Sequence, residues 1–346
     1  MKLAGHQILR RGVQKASKHF AAQGLILLYH RIAEVDADPW GLCVSQRHFA
    51  EQLAMIRELG SPLGLGELVR HLRMNTLPRR AIVVTFDDGY ADNLYSAKPL
   101  LVQQAIPATV FIITGMIGNN QVFWWDELSR VLLQPPTLPN LLSLTINGTT
   151  FQWKSEDVQA PDIEGQPHHS EAAVNKIGDA RQRLFDSVYH LLFSLTSAER
   201  QDVLDQLVKW SGSQAESRPT CRAMSHQEVR ELADGGIIDV GAHTVSHPAL
   251  SHLSADHQQA EIWKSKEELR DLLGRPVMSF AYPFGRADDY TAETATLVRQ
   301  AGFSCACSTR DDRLGDDQDL FDLPRFTVPD WSGEKFGQWL SARFSA

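Results

Sequence analysis

Three apolar runs, residues 25–29 (LILLY), 81–86 (AIVVTF) and 108–114 (ATVFIIT), constrain this chain most, because each is continuous rather than alternating. A strand apolar on both faces must be covered on both, and helices flanking a parallel sheet are the usual cover. Helical periodicity falls where that arrangement needs it, over residues 49–59, 64–74 and 93–104. The alternation returns late in the chain, with a helix over 227–235, a strand over 237–241, a helix over 254–273, a strand over 279–282 and a helix over 289–301. A βα barrel or a doubly wound sheet follows.

Between the two stretches the regularity stops. Residues 119–221 hold Trp124 and Trp125, a Pro-rich turn at 134–139, and long polar helical segments. Asn147-Gly148 between two β-prone runs is a strong hairpin signal. The expected organisation is a basic amphipathic helix over 1–24, one barrel domain in two segments (25–118 and 222–330), a mostly helical insertion over 119–221, and a C-terminal helix or tail over 331–346. Trp124 and Trp125 are expected to pack the insertion on the barrel, with sugar stacking as the alternative.

Charge narrows the partners. The formal net charge of -8 argues against nucleic acid. Six basic residues precede Glu34, the first acidic one, so the start of the chain can lie on an anionic membrane surface. No window approaches the roughly 20 apolar residues of a membrane span, and no secretory signal is legible, so a cytoplasmic location, peripheral at the inner membrane face, is expected. No obligate protein partner is inferred. Cys305 and Cys307 are read as core residues whose sulfurs face opposite ways.

Two strand tips carry the chemistry. Asp87 and Asp88 end the 81–86 run within Thr85-Phe86-Asp87-Asp88-Gly89-Tyr90, where barrel enzymes place catalytic groups. Adjacent strand residues point to opposite sides, so one carboxylate is expected on a metal and the other free as a base. An Asp-Asp-Gly turn with helix-capping carboxylates fits the same residues. In His243-Thr244-Val245-Ser246-His247-Pro248, two imidazoles at i and i+4 follow another strand and can share one divalent ion. Two His and one carboxylate leave coordination positions for water and substrate, which is the equipment of a metal hydrolase.

These motifs resemble those of the NodB-type polysaccharide deacetylases (carbohydrate esterase family four), whose patterns TFDDG and H-[ST]-x-x-H-P both occur without a mismatch. The resemblance spans residues 25–118 and 222–328. It implies a distorted (β/α) barrel with fewer than eight strands, and removal of N-acetyl groups from amino sugars in a polysaccharide, oligosaccharide or saccharide precursor. It further implies Asp87 as catalytic base and Asp88, His243 and His247 as ligands of a divalent metal, usually Zn2+.

Two later family motifs are altered. The pattern R-P-P-Y-G becomes Ala281-Tyr282-Pro283-Phe284-Gly285, so the arginine that steers the base is missing, and Arg325 is the expected replacement. Arg325 lies in Leu323-Pro324-Arg325-Phe326, where the family has L-x-H and uses that His as general acid. A subgroup similar to the biofilm poly-N-acetylglucosamine deacetylases instead begins with Y-H-R-I, matched by Tyr29-His30-Arg31-Ile32. His30 is therefore the expected acid, an imidazolium able to protonate a departing amine near neutral pH. Tyr282, Pro283 and Phe284 are expected around the substrate and oxyanion, with the Phe284 N–H as donor. Two other readings use the same residues: a metal hydrolase of a non-sugar amide, and a non-catalytic carbohydrate-binding scaffold.

Overall fold

In the computed structural model, residues 24–35, 37–118, 122–154, 179–213, 221–315 and 318–345 are described. The basic helix expected over 1–24 lies outside them, except for Gly24, which opens the first strand. The apolar runs form the strands β1 (Gly24–Tyr29), β2 (Ala81–Phe86) and β3 (Ala108–Ile112). Later come β4 (Ile238–Ala242), β5 (Ser279–Ala281), β6 (Cys305–Cys307) and β7 (Phe326–Thr327). Their order is β6-β5-β4-β3-β2-β1-β7, and the dipeptide Ser61–Pro62 adds an eighth strand beside β2.

Every pairing in this sheet is parallel. The chain after β6 closes the ring. Ala306 N–H donates to Leu320 O (2.8 Å), Leu323 N–H to Ala306 O (2.9 Å) and Ser308 N–H to Leu323 O (2.9 Å), before β7 pairs with β1. Of the barrel and the doubly wound sheet that the βα alternation left open, the result is the distorted (β/α) barrel that the family resemblance implies, with eight strands rather than fewer once the Ser61–Pro62 dipeptide is counted.

Side-chain parity along the strands separates two cores. Leu25, Leu27, Tyr29, Ile82, Val84 and Phe86 join the larger cluster, which also holds Phe49, Leu53 and Ile56 of helix Gln46–Leu59. Ile26, Ala81, Val83 and Phe111 face the other way, into the barrel. Each large apolar side chain so covered contributes about 1.5–3 kcal/mol. Cys305 and Cys307 both belong to the inner cluster while Ala306 joins the outer one. The expectation of opposed sulfurs is thus corrected: residues two apart in a strand share a face.

A separate apolar cluster lies between the two barrel segments. It gathers Leu128, Val131, Leu132, Leu142, Leu144, Phe185, Val188, Leu192, Val203 and Leu207. These come from helices Trp124–Leu133, Asp179–Phe193 and Ser197–Ser211 and from the strand Leu141–Ile146, which pairs antiparallel with Thr149–Lys154. Asn147 (φ 50°) and Gly148 (φ 78°) make the turn of that hairpin, both in the left-handed region that a two-residue primed turn needs.

Candidate active site

The functional side chains converge at the C-terminal ends of the parallel strands. Asp87 continues the inward parity of Ala81, Val83 and Thr85. Its carboxylate meets Arg325, whose Nη1 and Nη2 each donate at 2.7 Å, one to either oxygen. Arg325 is fully buried, reaching the rim from just before β7, and its Nε donates to Ser308 O at 2.8 Å. The position of the family arginine is occupied by Ala281, so the guanidinium arrives from a different strand and engages the carboxylate in the bidentate manner that Arg favours.

Asp88, His243 and His247 form the second group. The Asp88 Oδ1 lies 3.7 Å from His243 Nε2 and 3.6 Å from His247 Nε2, and one ligand atom from each residue lies within 4.8 Å of the others. Ligands about 2.0–2.1 Å from a tetrahedral zinc stand roughly 3.4 Å apart, close to the two spacings from Asp88 Oδ1. Their electrostatics agree. Burial, reinforced by the Asp87 charge, pushes the Asp88 carboxyl well above its usual range. Burial pushes both imidazoles down, His247 further because His243 adds to it. Neutral imidazoles are the form that binds metal, and a buried acid beside them is the group that a cation relieves.

Asp87 and Asp88 were expected to face opposite ways, but both carboxylates reach His243, Asp87 Oδ2 at 3.8 Å from its Nε2. Backbone conformation is the reason. The strand ends at Phe86, Gly89 N–H folds back to Asp87 O (2.9 Å), and Asp88 sits between them at φ 71°. Thr244 (φ 65°), His247 (φ 57°) and Phe284 (φ 59°) share that region, which costs a non-glycine residue about 1–3 kcal/mol and is characteristic of functional sites.

His30 follows β1 on the same rim. Its carbonyl accepts from Asn93 Nδ2 at 2.8 Å, and its Nδ1 is buried without a hydrogen-bond partner among the described residues. Burial lowers the imidazole to about 4, against the opposing pull of Asp87. Burial therefore favours the neutral ring, where the sequence leads one to expect an imidazolium. Asp87 remains low, about 2: its burial acts to raise it, but Arg325, then His243, outweigh that effect.

Of the three residues expected at the oxyanion, the structure separates Tyr282 from the others. Its N–H donates to Cys307 O (3.1 Å), its hydroxyl to Phe321 O (2.8 Å), and its ring stacks on Tyr290 in the outer core. β5 ends at Ala281, but the bond to Cys307 continues its pairing by one residue, so Tyr282 keeps the outward parity of Phe280 and its side chain points away from the rim. Pro283 accepts Gly285 N–H at 2.6 Å across Phe284, leaving the Phe284 N–H without a partner among the described residues. The Phe284 ring lies 4.7 Å from that of His247.

A buried polar network beneath the rim was not legible in the sequence. Trp125 Nε1 donates to the Tyr90 hydroxyl (2.7 Å), which donates to Asp126 (2.8 Å). Arg31 packs over the Tyr90 ring and pairs with Asp92 at 3.0 Å. The Trp125 ring is 5.0 Å from that of His247, while Trp124 stacks against Tyr189 beneath Arg200. Both tryptophans are thus engaged in packing, Trp125 against the His247 loop and Trp124 against the helices of the intervening segment, which is the packing role expected of them.

A parallel βα barrel whose rim joins an Asp-His-His cluster to an Arg-clamped carboxylate has the architecture of the NodB-type deacetylases. The signature of the polysaccharide deacetylase family matches residues 74–189 and 208–306, and the chain belongs to that family. His30 and Arg325 both lie outside the matched residues. The chain is 28% identical over 320 residues to YxkH of Bacillus subtilis (strain 168), a protein named for polysaccharide deacetylases; the alignment covers 92% of this chain and 76% of that one. It is 27% identical over 129 residues to the poly-beta-1,6-N-acetyl-D-glucosamine N-deacetylase of Staphylococcus aureus, covering 34% of this chain and 44% of that one. Its fold is similar to that of the Streptococcus pyogenes deacetylase PplD (TM-score 0.56, 19% identity, 92% and 98% covered). IcaB of Ammonifex degensii is likewise similar (TM-score 0.55, 19% identity, 94% and 98% covered).

Proposed function

We propose that this chain is a metal-dependent N-deacetylase of amino sugars in a polysaccharide, oligosaccharide or saccharide precursor. One observation carries the reading: an ionised carboxylate, Asp87, is clamped by Arg325 beside three buried groups suited to a divalent ion. Similarity to a poly-N-acetylglucosamine deacetylase supports the sugar.

Asp88, His243 and His247 would hold the ion, with Zn2+ fitting the donor set. When bound, it supplies a Lewis acid for the acetamide carbonyl and acidifies nearby water. Asp87 takes the proton that the attacking water gives up. Arg325 keeps that carboxylate aimed at the centre, and the free Phe284 N–H donates to the oxygen that gains charge. His30 protonates the departing amine as the C–N bond breaks, so that acetate and a free amino sugar leave. Burial holds His30 neutral, so it acts as acid after taking up the proton that Asp87 received, and one proton passes in all from the water to the amine.

Acetate release from N-acetylglucosamine oligomers, measured with and without a chelator and beside quantified bound metal, tests this. Release is expected to stop on chelation and to return with Zn2+. His30→Ala is expected to keep its metal and lose about 10²–10⁴-fold in kcat. Release that persists in metal-free protein would refute the reading.

Contact with the inner membrane face is supported by the five basic residues among 1–23, the sixth before Glu34, Arg31, being buried on Asp92. No helix among the described residues is long and apolar enough to cross a membrane. Deletion of residues 2–23 is expected to abolish co-sedimentation with anionic vesicles, and unchanged co-sedimentation would refute the contact.

A further inference from the structure

The loop from His243 to His247 presents two of the three candidate ligands, and it holds them differently. His243 is oriented through its own ring, Nδ1 lying 2.8 Å from Ala281 O and leaving Nε2 to the cluster. His247 Nδ1 is buried with no hydrogen-bond partner among the described residues. A ligating histidine ordinarily fixes its ring through that second nitrogen. The placement of His247 therefore falls to packing against Trp125 and Phe284, and to a backbone in the left-handed region at both Thr244 and His247. Non-glycine residues keep that conformation only where surrounding contacts enforce it.

Those contacts grip the loop from two sides. Its carbonyls are held by β3's continuation: Thr114 N–H donates to Thr244 O (3.1 Å) and Gly115 N–H to Val245 O (2.9 Å). A Cβ at position 115 would stand 2.5 Å from that same oxygen, so the approach requires glycine. Its N–H groups are held by one side chain, Glu261 of helix Ala255–Leu273. Glu261 Oε2 accepts from Val245 N–H (2.7 Å) and Ser246 N–H (2.9 Å), and Oε1 accepts from the Ser246 hydroxyl (2.7 Å). Within the loop, Thr244 Oγ1 accepts His247 N–H at 3.0 Å. Three hydrogen bonds to one side chain make Glu261 the firmest tie on this side.

We propose that Glu261 is a positioning residue for the metal site: by clamping Val245 and Ser246 it sets the backbone that presents His247, in place of the missing ring hydrogen bond. The proposal rests on the reading that Asp88, His243 and His247 hold a divalent ion, and not on which amide is hydrolysed. The clamp is geometric rather than electrostatic. In a Glu261→Gln variant the side-chain carbonyl oxygen could still accept both N–H groups, and the NH2 could donate to Ser246 Oγ, whereas the methyl group of Glu261→Ala could do neither.

The test is a Zn2+ titration of the full chain against a competing chromophoric chelator, without substrate, with thermal unfolding of the metal-free proteins alongside. Glu261→Ala is expected to fold and to bind Zn2+ about 10–100-fold more weakly, while Glu261→Gln stays within a few-fold of wild type. A folded Glu261→Ala protein with wild-type affinity overturns the proposal, as does Glu261→Gln falling as far as Glu261→Ala. Should Glu261→Ala fail to fold, Glu261→Asp decides, since its shorter side chain cannot span all three donors. A severalfold loss there supports the clamp and unchanged affinity overturns it. A wild-type protein that binds Zn2+ but releases no acetate removes the deacetylase reading and leaves this one standing; one that takes up no Zn2+ overturns it.

Discussion

Replacing Asp87 with Asn is expected to lower kcat for acetate release by about 10²–10⁴-fold while leaving the Zn2+ content unchanged. The expectation follows from the division of labour at the end of β2. Asp88 is within reach of both imidazoles, whereas Asp87 gives both its oxygens to Arg325. An amide at position 87 cannot take a proton from water, yet the three ligand atoms are untouched. Metal analysis and single-turnover acetate release on the same preparation check both halves. Loss of metal together with activity would place Asp87 among the ligands instead, and retained activity would remove it as base.

Much of this rim was legible because strand periodicity and short motifs are local. Residues 81–86 had to be a strand covered on both faces, so Asp87 and Asp88 had to sit at its tip. Arg325 was legible by subtraction: a family arginine is absent at Ala281, and a cation stands where a histidine was expected. What failed was conformation beyond the strand ends. The facing of Asp88 depends on a positive φ that an Asp-Asp-Gly sequence permits but does not dictate. Tyr282 failed for the opposite reason: the strand read over 279–282 already gave it the parity of Phe280, which turns its side chain into the outer core, and the motif was followed instead.

Long-range ties were not legible at all. Glu261 is fourteen residues beyond His247 in an amphipathic helix, and nothing in its neighbours distinguishes it from a solvated acid. The stretch read as one helix over 93–104 opens with a wider turn, the π-helix Asn93–Ala97, before the α-helix Lys98–Gln104. Asp92 and Asn93, at the start of this turn, are buried, and bond respectively to Arg31 and Ile32, and to the His30 carbonyl. Such insertions concentrate at functional sites because they re-aim side chains that a regular helix would turn away. Here the re-aimed residues hold the segment that carries the proposed acid.

Arg325→Met should damage stability as well as catalysis, and in a pH-dependent way. Removing one member of a fully buried ion pair strands the other, at a cost of about 3–5 kcal/mol. In the metal-free wild type, Asp87 titrates lower in the folded chain than in the unfolded one, so it contributes stability above the unfolded carboxylate pKa. That contribution, about 2 kcal/mol, is lost as pH falls toward 2. Without the guanidinium, burial is opposed only by the weaker pull of His243 and His30, and the folded pKa is expected to rise above the unfolded value. The variant therefore loses stability as pH increases through that range, and its deficit in urea unfolding should be larger at pH 8 than at pH 4. Combining Arg325→Met with Asp87→Asn removes both charges and should restore much of the stability while leaving the protein inactive, a non-additivity expected of a contacting pair. A single variant as stable as wild type at pH 8, or a double variant no more stable than Arg325→Met, would show that the pair does not hold the rim together.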